Sequence, residues 1–161
     1  MSNNQLDTLF ELLDKYYVEV PIVQRDYAQG RQDVHATTVR STLLNDMRAA
    51  VVGETPPLDL NFVYGKARDK KFIPIDGQQR LTTLFLLHLY AFRKDETKTP
   101  ILYKFTYETR ISSRDFLKKL ISNRADVFVA RSKPSEQIED SEWFVSNWKN
   151  DPTIGSILIM L

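Results

Sequence analysis

Apolar residues recur along this chain with two different periods. Spacings of three and four residues predict amphipathic helices, because residues that far apart share one helix face. Alternating or β-branched runs predict strands, because successive strand residues point to opposite faces of a sheet. This mixture predicts an α+β fold. In the first two thirds of the chain, the predicted helices cover residues 6–16, 34–52 and 78–94, and the predicted strands cover residues 18–23, 60–65, 71–75 and 102–107.

The last third of the chain is predicted to be mainly helical. Helices are expected at residues 113–122, at residues 135–148 and from Asp151-Pro152 onward. Lys133-Pro134-Ser135 is the best candidate for a linker, because proline and serine interrupt regular elements. We therefore predict a domain over residues 1–132 and the start of a helical extension over residues 133–161. The extension ends in an apolar run, so it is expected to continue in a longer protein or to pack on a partner.

Composition limits the chemistry that this chain can perform. Its 161 residues include no cysteine and two histidines, His35 and His88. These counts exclude disulfides, thiolate catalysis and Cys-type zinc sites, and they argue against a complete His-Asn-His nuclease centre. Hydrophobic residues make up 42% of the chain, which is enough for a folded core, and the net charge of +1 does not by itself demand a nucleic-acid partner.

The sequence carries no signal for export or membrane insertion. Its N-terminus lacks a basic region followed by an apolar one, so no signal peptide is predicted. The longest near-apolar run, residues 84–92, is far short of the ~20 residues that a membrane span needs. We therefore predict a cytoplasmic protein without a membrane partner.

The segment Ile75–Leu84 holds the strongest candidate for chemistry. A predicted strand stops at Asp76-Gly77, and a helix follows at once with Gln78-Gln79-Arg80 in its first turn. The first N–H groups of a helix attract anions, and the planar arginine fork suits phosphate. Glycine leaves room for a ligand to approach the backbone. This pattern predicts a phosphate-binding turn.

The same turn has a purely structural interpretation. Asp76 would accept the backbone N–H of Gln78 or Gln79, and the Gln79 side chain would reach back to the N–H of Asp76. Such a reciprocal arrangement is a variant of the capping box. It would explain the polar residues by helix capping alone, so both interpretations stay open at this point.

The motif Ile75-Asp-Gly-Gln-Gln-Arg-Leu-Thr-Thr-Leu84 resembles the signature of the GmrSD-type restriction endonuclease N-terminal domain, in the ParB/sulfiredoxin-like superfamily. Further elements of that family occur in the expected order: Val20-Pro-Ile-Val-Gln-Arg-Asp-Tyr27, Leu43-Leu-Asn-Asp46 and Phe62-Val-Tyr-Gly65. The resemblance is good from Leu6 to Phe92. Later segments resemble only a subgroup of larger members.

The resemblance implies a small mixed sheet flanked by helices, with a helical C-terminal extension. It also implies a nucleotide-binding domain that often hydrolyses nucleoside triphosphates and gates a C-terminal nuclease. The nuclease centre is absent from this sequence. The expected partners are therefore a nucleotide, a missing C-terminal nuclease or helical domain, and DNA reached through the full-length protein. No nuclease activity is expected from this chain alone.

The resemblance also extends the candidate site beyond the turn. A P-loop is absent from the sequence, so the chain is not a P-loop enzyme. Asp76 and Arg80 are the expected catalytic residues, with Asp76 orienting a water or holding Mg²⁺. Gln24, Arg25 and Tyr27 have a structural alternative, which is a polar loop after an edge strand. For Tyr64 and Gly65 the alternative is a strand that ends in a glycine bulge. The predicted nucleotide-binding residues are Gln24, Arg25, Tyr27, Tyr64, Gly65, Gly77, Gln78, Gln79 and Arg80.

Two other functions fit the sequence. In the first, the groove binds DNA or a modified base without catalysis, and a basic cluster either contacts DNA phosphates or is a solvated surface. In the second, the domain only binds a partner, with the apolar C-terminal segment as the interface. The basic cluster consists of Arg110, Arg114, Lys118, Lys119 and Arg124.

Overall fold

The structure is a computed structural model that describes residues 7–21, 33–56, 58–59, 63–108, 110–129 and 132–161. Helices and strands alternate through the first half, and helices dominate the second. The helices are α1 (Leu9–Lys15), α2 (Val34–Val51), α3 (Gln78–Ala91), α4 (Thr99–Leu102), α5 (Ile111–Ser122), α6 (Arg124–Val127), α7 (Pro134–Glu139) and α8 (Pro152–Met160), with 3₁₀ turns at Glu96–Lys98 and Ser146–Asn150. The strands are β1 (Tyr17–Val20), β2 (Tyr64–Arg68), β3 (Lys71–Asp76) and β4 (Phe105–Tyr107).

Within the described residues, the four strands form one mixed sheet in the order β2-β3-β1-β4. Strand β1 lies between β3 and β4 and runs parallel to both, whereas β2 pairs with β3 in antiparallel fashion. The carboxyl ends of β1, β3 and β4 therefore meet at one edge of the sheet, called here the carboxyl edge. The predicted α+β fold is confirmed, and the finer ParB/sulfiredoxin-like assignment stays a prediction.

The core lies on one face of the sheet. Val18 and Val20 of β1 and Phe105 of β4 point into it, because alternate strand residues share a face. Helix α3 packs on this face, with the ring of Phe85 stacked on that of Phe105 at a centroid distance of 4.5 Å. The same core cluster includes Ile138, Trp148, Ile154, Ile157 and Leu158 from the segment that we predicted to be a helical extension.

The predicted helix over residues 135–148 is wrong. Helix α7 ends at Glu139, and a separate 3₁₀ turn follows at Ser146–Asn150. The Ser141 hydroxyl donates to the Ile138 carbonyl at 2.6 Å, a local bond that competes with helix continuation. The break lets Trp143 and Trp148 pack around Phe116, with ring centroids 6.3 and 5.7 Å from it.

Two predicted strands also differ from the structure. Residues 99–102 form a helical turn, which Pro100 favours at its start, so β4 begins only at Phe105. Residues 66–70 were predicted to connect the two strands, but β2 continues to Arg68, so the connection is shorter than predicted. The hairpin turn consists of Asp69 and Lys70, both with positive φ, which suits a two-residue hairpin. The predicted strand residues 60–62 and 22–23 lie outside the described residues.

The predicted basic cluster loses one of its members to the core. Arg124 is only 2% exposed. Its guanidinium donates to the carbonyls of Phe92 and Ile121 at 3.1 and 2.9 Å, and it pairs with Glu96 at 3.0 Å. The prediction that Arg124 belongs to an exposed basic surface is therefore wrong. Its buried guanidinium instead joins three segments of the fold. In the part of the chain that is described, no helix is long and apolar enough to cross a membrane.

Candidate functional site

The turn between β3 and α3 lies at the carboxyl edge. Strand β3 ends at Asp76, and Gly77 takes a left-handed conformation with φ of 83° before α3 begins. The backbone N–H of Gly77 donates to the Asp76 carboxylate at 2.8 Å. Gly77 itself is the N-cap and makes no side-chain capping bond. The proposed capping box with Asp76 as the N-cap is therefore wrong, and Asp76 folds back onto its immediate neighbour instead.

The fold gives Gly77 two reasons to be glycine. Its positive φ is costly for residues that carry a Cβ. An added Cβ would also lie 2.9 Å from Cγ2 and 3.2 Å from Cα of Val63. The space beside the glycine that was expected to admit a ligand is thus occupied by Val63, and any ligand must approach the turn from another side.

The Gln78 side chain belongs to the scaffold of the turn. It is buried, and its Nε2 donates to the Pro74 carbonyl at 3.0 Å, which ties α3 to β3. One helical turn later, the Thr82 hydroxyl lies 3.1 Å from the hydroxyl of Tyr107 at the end of β4. Burial raises the pKa of Tyr107 to about 12, so this phenol stays protonated. The sequence analysis missed Thr82 and Tyr107, although the spacing of four between Gln78 and Thr82 places both on the sheet-facing side of α3.

Asp76 and Arg80 form a loose pair on the outer side of the turn. The distance from Arg80 Nη2 to Asp76 Oδ2 is 3.7 Å, and the two side chains are 25% and 78% exposed. Ion pairs that water reaches contribute only ~0–1 kcal/mol. The Arg80 side chain is thus partly buried, while the Asp76 carboxylate lies largely in solvent.

Strand β2 brings one predicted site residue to this turn. Tyr64 lies opposite Asp76 across the β2–β3 ladder and is 65% exposed. The pairing shifts between Tyr64 and Gly65, as the predicted glycine bulge requires. A Cβ on Gly65 would lie 2.6 Å from the Ile73 carbonyl oxygen and from the Phe72 ring. Packing therefore accounts for Gly65, and Tyr64 is the side chain that β2 places beside the turn.

The predicted residues Gln24, Arg25 and Tyr27 lie outside the described residues. Strand β1 ends at Val20, next to β3 and at the same carboxyl edge, and Pro21 is the last described residue before that segment. The chain therefore enters the segment with these three residues from the edge that carries Asp76 and Arg80.

A second aspartate–arginine pair lies near the carboxyl end of β4. Asp151 is the N-cap of α8 and is only 7% exposed. Burial opposes its ionisation, but hydrogen bonds from two serines and the backbone outweigh burial, so the pKa of Asp151 is lowered. The sequence analysis missed this cluster. Its carboxylate accepts hydrogen bonds from Ser112 Oγ at 2.5 Å, Ser113 Oγ at 2.7 Å, Thr153 N at 2.9 Å and Arg110 Nη1 at 3.3 Å.

The described residues of the turn do not form a complete set of metal ligands. In the described ranges, no group of three or more His, Cys, Asp and Glu side chains is placed to hold a metal ion. Asp76 offers one largely exposed carboxylate. Mg²⁺ is commonly bound by one or two carboxylates together with substrate phosphates and water. Among the described residues, the turn therefore offers one of the carboxylates that such a Mg²⁺ site would need.

Comparison with known proteins places this chain in a family. No curated protein and no solved structure gives a significant match. The sequence model of the GmrSD restriction endonuclease, N-terminal domain, matches residues 8–159. That match continues through the second half of the chain, well past the segment where the resemblance was evident from motifs. The chain therefore belongs to the family of the GmrSD restriction endonuclease N-terminal domain.

Proposed function

We propose that the turn from Asp76 to Arg80 binds a nucleoside triphosphate, and that this domain is the nucleotide-binding regulatory part of a restriction-type DNA endonuclease system. One observation carries the proposal: the N-terminal end of the long, buried helix α3 opens at the carboxyl edge beside Arg80 and the exposed Asp76. Ligands of sheets with parallel strands commonly bind outside the carboxyl ends of those strands.

Charge and backbone geometry at this place favour a phosphate. The helix dipole contributes ~0.3–1 kcal/mol toward binding of an anion at an exposed helix N-terminus. Arg80 adds a guanidinium that can bind two phosphate oxygens at once. Because the Gly77 N–H is engaged by Asp76, we expect the phosphates to contact the first turn of α3 at Gln78 and Gln79, with Arg80 as the cationic clamp.

Residues beside the turn would hold the rest of the nucleotide. The exposed ring of Tyr64, opposite Asp76, offers a surface for the base or ribose. Gln24, Arg25 and Tyr27 follow Pro21 in the chain, and Arg25 would add a second cation for the phosphates. Gly65 and Gly77 support the site by allowing close packing on Phe72 and Val63.

The proposal extends to hydrolysis of the bound nucleoside triphosphate. Phosphoryl transfer depends mainly on positioning and charge stabilisation, and Arg80 is placed to stabilise charge on a bound phosphate. Asp76, with its carboxylate largely in solvent, would orient the attacking water. Mg²⁺ would neutralise phosphate charge when it binds with the nucleotide, and Asp76 is the carboxylate of the turn that would contribute to holding it.

Calorimetry tests nucleotide binding. The four nucleoside triphosphates are titrated with magnesium into the wild-type chain and into Arg80→Ala. We expect one or more to bind, with affinity at least about tenfold weaker in Arg80→Ala, because a charged hydrogen bond contributes about 1.5–3 kcal/mol. The matched control is Arg93→Ala, which removes an arginine just beyond the other end of α3, where it stacks on Tyr90. Failure of all four triphosphates to bind, or equal binding by Arg80→Ala, would contradict the proposal.

A second candidate function is a non-enzymatic module that binds DNA or a modified base. The 65% exposure of Tyr64 beside the turn favours it, because aromatic rings stack on unpaired bases. Gel shifts over a salt series separate the two functions. Binding of DNA with a steep salt dependence, unchanged by nucleotide and accompanied by no phosphate release from triphosphates, would support the module over the nucleotide-binding domain.

A further inference from the structure

The tip of the β2–β3 hairpin is a rigid, basic surface. Its two turn residues, Asp69 and Lys70, have φ values of 50° and 61°, which is typical of the tight turns that match the twist of paired strands. The hairpin tip is defined here as residues 66–71, Lys-Ala-Arg-Asp-Lys-Lys. It carries four cationic side chains and one carboxylate within six residues. The described part of β2 is an edge strand, so the tip is bordered by a partner on one side only.

The cations of the hairpin tip are held loosely. The side chains of Arg68 and Lys71 are 75% and 54% exposed. The acids that face them are Asp69, 3.1 Å from Arg68, and Glu19 of β1, 3.0 Å from Lys71. Surface ion pairs of this kind contribute ~0–1 kcal/mol each. Phosphates can therefore replace the exposed Asp69 carboxylate at Arg68, and the four cations outnumber the two acids.

We propose that the hairpin tip is a DNA-binding element that contacts the phosphate backbone of duplex DNA. The chain belongs to a restriction endonuclease family, so an anionic duplex is the partner whose chemistry fits four exposed cations. Lysine and arginine contacts to phosphates supply most of the affinity that does not depend on sequence.

The hairpin tip is remote from the proposed nucleotide site. Strand β3 runs from Lys71 at the tip to Asp76 at the turn, and strand residues rise ~3.3 Å each, so about 17 Å separate the two along the strand. DNA at the tip and a nucleotide at the turn would not compete. This inference is therefore independent of nucleotide binding, and the two proposals can fail separately.

A different explanation exists for basic residues on an edge strand. Lysines there prevent the open edge from pairing with another chain. This explanation predicts that removal of the charges promotes self-association, whereas a DNA-binding role predicts loss of DNA affinity. The two explanations therefore differ in what they predict for the same variant.

The test uses a triple variant of the whole chain, Lys66→Gln, Arg68→Gln and Lys70→Asn. Asparagine is chosen at position 70 because it tolerates positive φ. The matched control is Lys94→Gln, Lys118→Gln and Lys119→Gln, which likewise removes three exposed positive charges, two of them from the basic cluster on α5. Fluorescence anisotropy measures binding of a labelled 20-base-pair duplex of arbitrary sequence over a salt series, and thermal unfolding checks that both variants fold.

We expect the hairpin variant to bind the duplex at least about tenfold more weakly at 50 mM salt, with the slope of log K against log salt reduced by about two to three. The control should keep its affinity to within about threefold, since its lysines lie elsewhere. Nucleotide binding should be unchanged in both. Equal losses in the two variants, a loss confined to the control, no duplex binding by wild type, or self-association of the hairpin variant with unchanged affinity would each overturn the inference.

Discussion

Two aspartate–arginine pairs lie near the carboxyl edge in opposite environments. Asp76 and Arg80 are 3.7 Å apart, and the Asp76 side chain is 78% exposed. Asp151 and Arg110 are 3.3 Å apart, and the Asp151 side chain is 5% exposed. An aspartate–arginine pair therefore has a different role in each of the two places. A carboxylate surrounded by the protein's own donors stabilises the fold, whereas one left largely in water remains accessible to a ligand.

Asp151→Ala should have the largest effect, and it tests whether the buried carboxylate stabilises the fold. The substitution removes the carboxylate that Ser112, Ser113 and Arg110 all contact, and it removes the N-cap of α8. Breaking a buried ion pair from one side costs about 3–5 kcal/mol, and partial exposure of Arg110 places the expected loss near the lower end, about 3 kcal/mol. Urea unfolding followed by circular dichroism measures it. A loss below about 1 kcal/mol would show that Asp151 is no more structural than Asp76.

Gly77→Ala tests whether the backbone of the turn between β3 and α3 tolerates a side chain. The left-handed conformation costs about 1–2 kcal/mol with a Cβ, and the contact with Val63 adds to it, so we expect a loss of about 2 kcal/mol. The matched control is Gly155→Ala in α8, where an added Cβ meets nothing within 4 Å. That control should gain about 0.5–1 kcal/mol, because alanine is favoured over glycine inside helices. Equal effects of the two substitutions would contradict the packing argument.

Acid titration tests the contribution of the ionised Asp151 carboxylate to stability. The folded pKa of Asp151 is lowered, so its ionised form stabilises the fold above the unfolded aspartate pKa of about 3.9. This stability is lost as pH falls from about 4 through the folded pKa. The loss should be smaller than that caused by Asp151→Ala, because protonation leaves the side chain in place. Urea midpoints between pH 7 and pH 2 should therefore fall more steeply for wild type than for Asp151→Asn.

The smallest effect is expected for Asp76→Ala. Its carboxylate is mostly solvated and its ion pair is loose, so the main loss is the hydrogen bond from the Gly77 N–H, and the free energy of unfolding should fall by about 1 kcal/mol or less. Nucleotide binding, measured by calorimetry, should weaken if Asp76 helps to hold magnesium. A stability loss approaching that of Asp151→Ala would erase the distinction between the two pairs.

The turn was predicted well from the sequence because the residues that define it are adjacent in the chain. The stop of β3 at Asp76, the glycine and the start of α3 at Gln78 are encoded within a few residues. The carboxyl-terminal ends of α2 and α5 were also predicted to within one residue from apolar periodicity, but α5 begins at Ile111 with Arg110 as its N-cap, two residues before its predicted start. The function of the turn was harder to separate from capping, since Asp76 satisfies a backbone N–H in either case, only a different one from that expected.

The Asp151 cluster was not predictable because its parts are distant in the chain. Ser112 and Ser113 look like helix-start residues, and Asp151 looks like another N-cap. Nothing in their spacing indicates that the serine hydroxyls donate to that carboxylate. Arg124 presents the same difficulty, since a charged residue in a basic stretch is usually exposed, and only the folded chain brings carbonyl acceptors to its guanidinium. Tertiary contacts decide such cases.

The position of β1 in the sheet has a consequence for how the chain folds. It precedes the other described strands in the chain, yet its register joins Tyr17 to Lys71 on one side and Val18 to Phe105 on the other. Neither edge of β1 can be satisfied until much later segments have left the ribosome. Parallel pairings over such long separations form slowly, and an unpaired apolar strand is prone to aggregate in the meantime. Strand β1 is therefore expected to stay unpaired, and open to aggregation, until β3 and β4 have been synthesised.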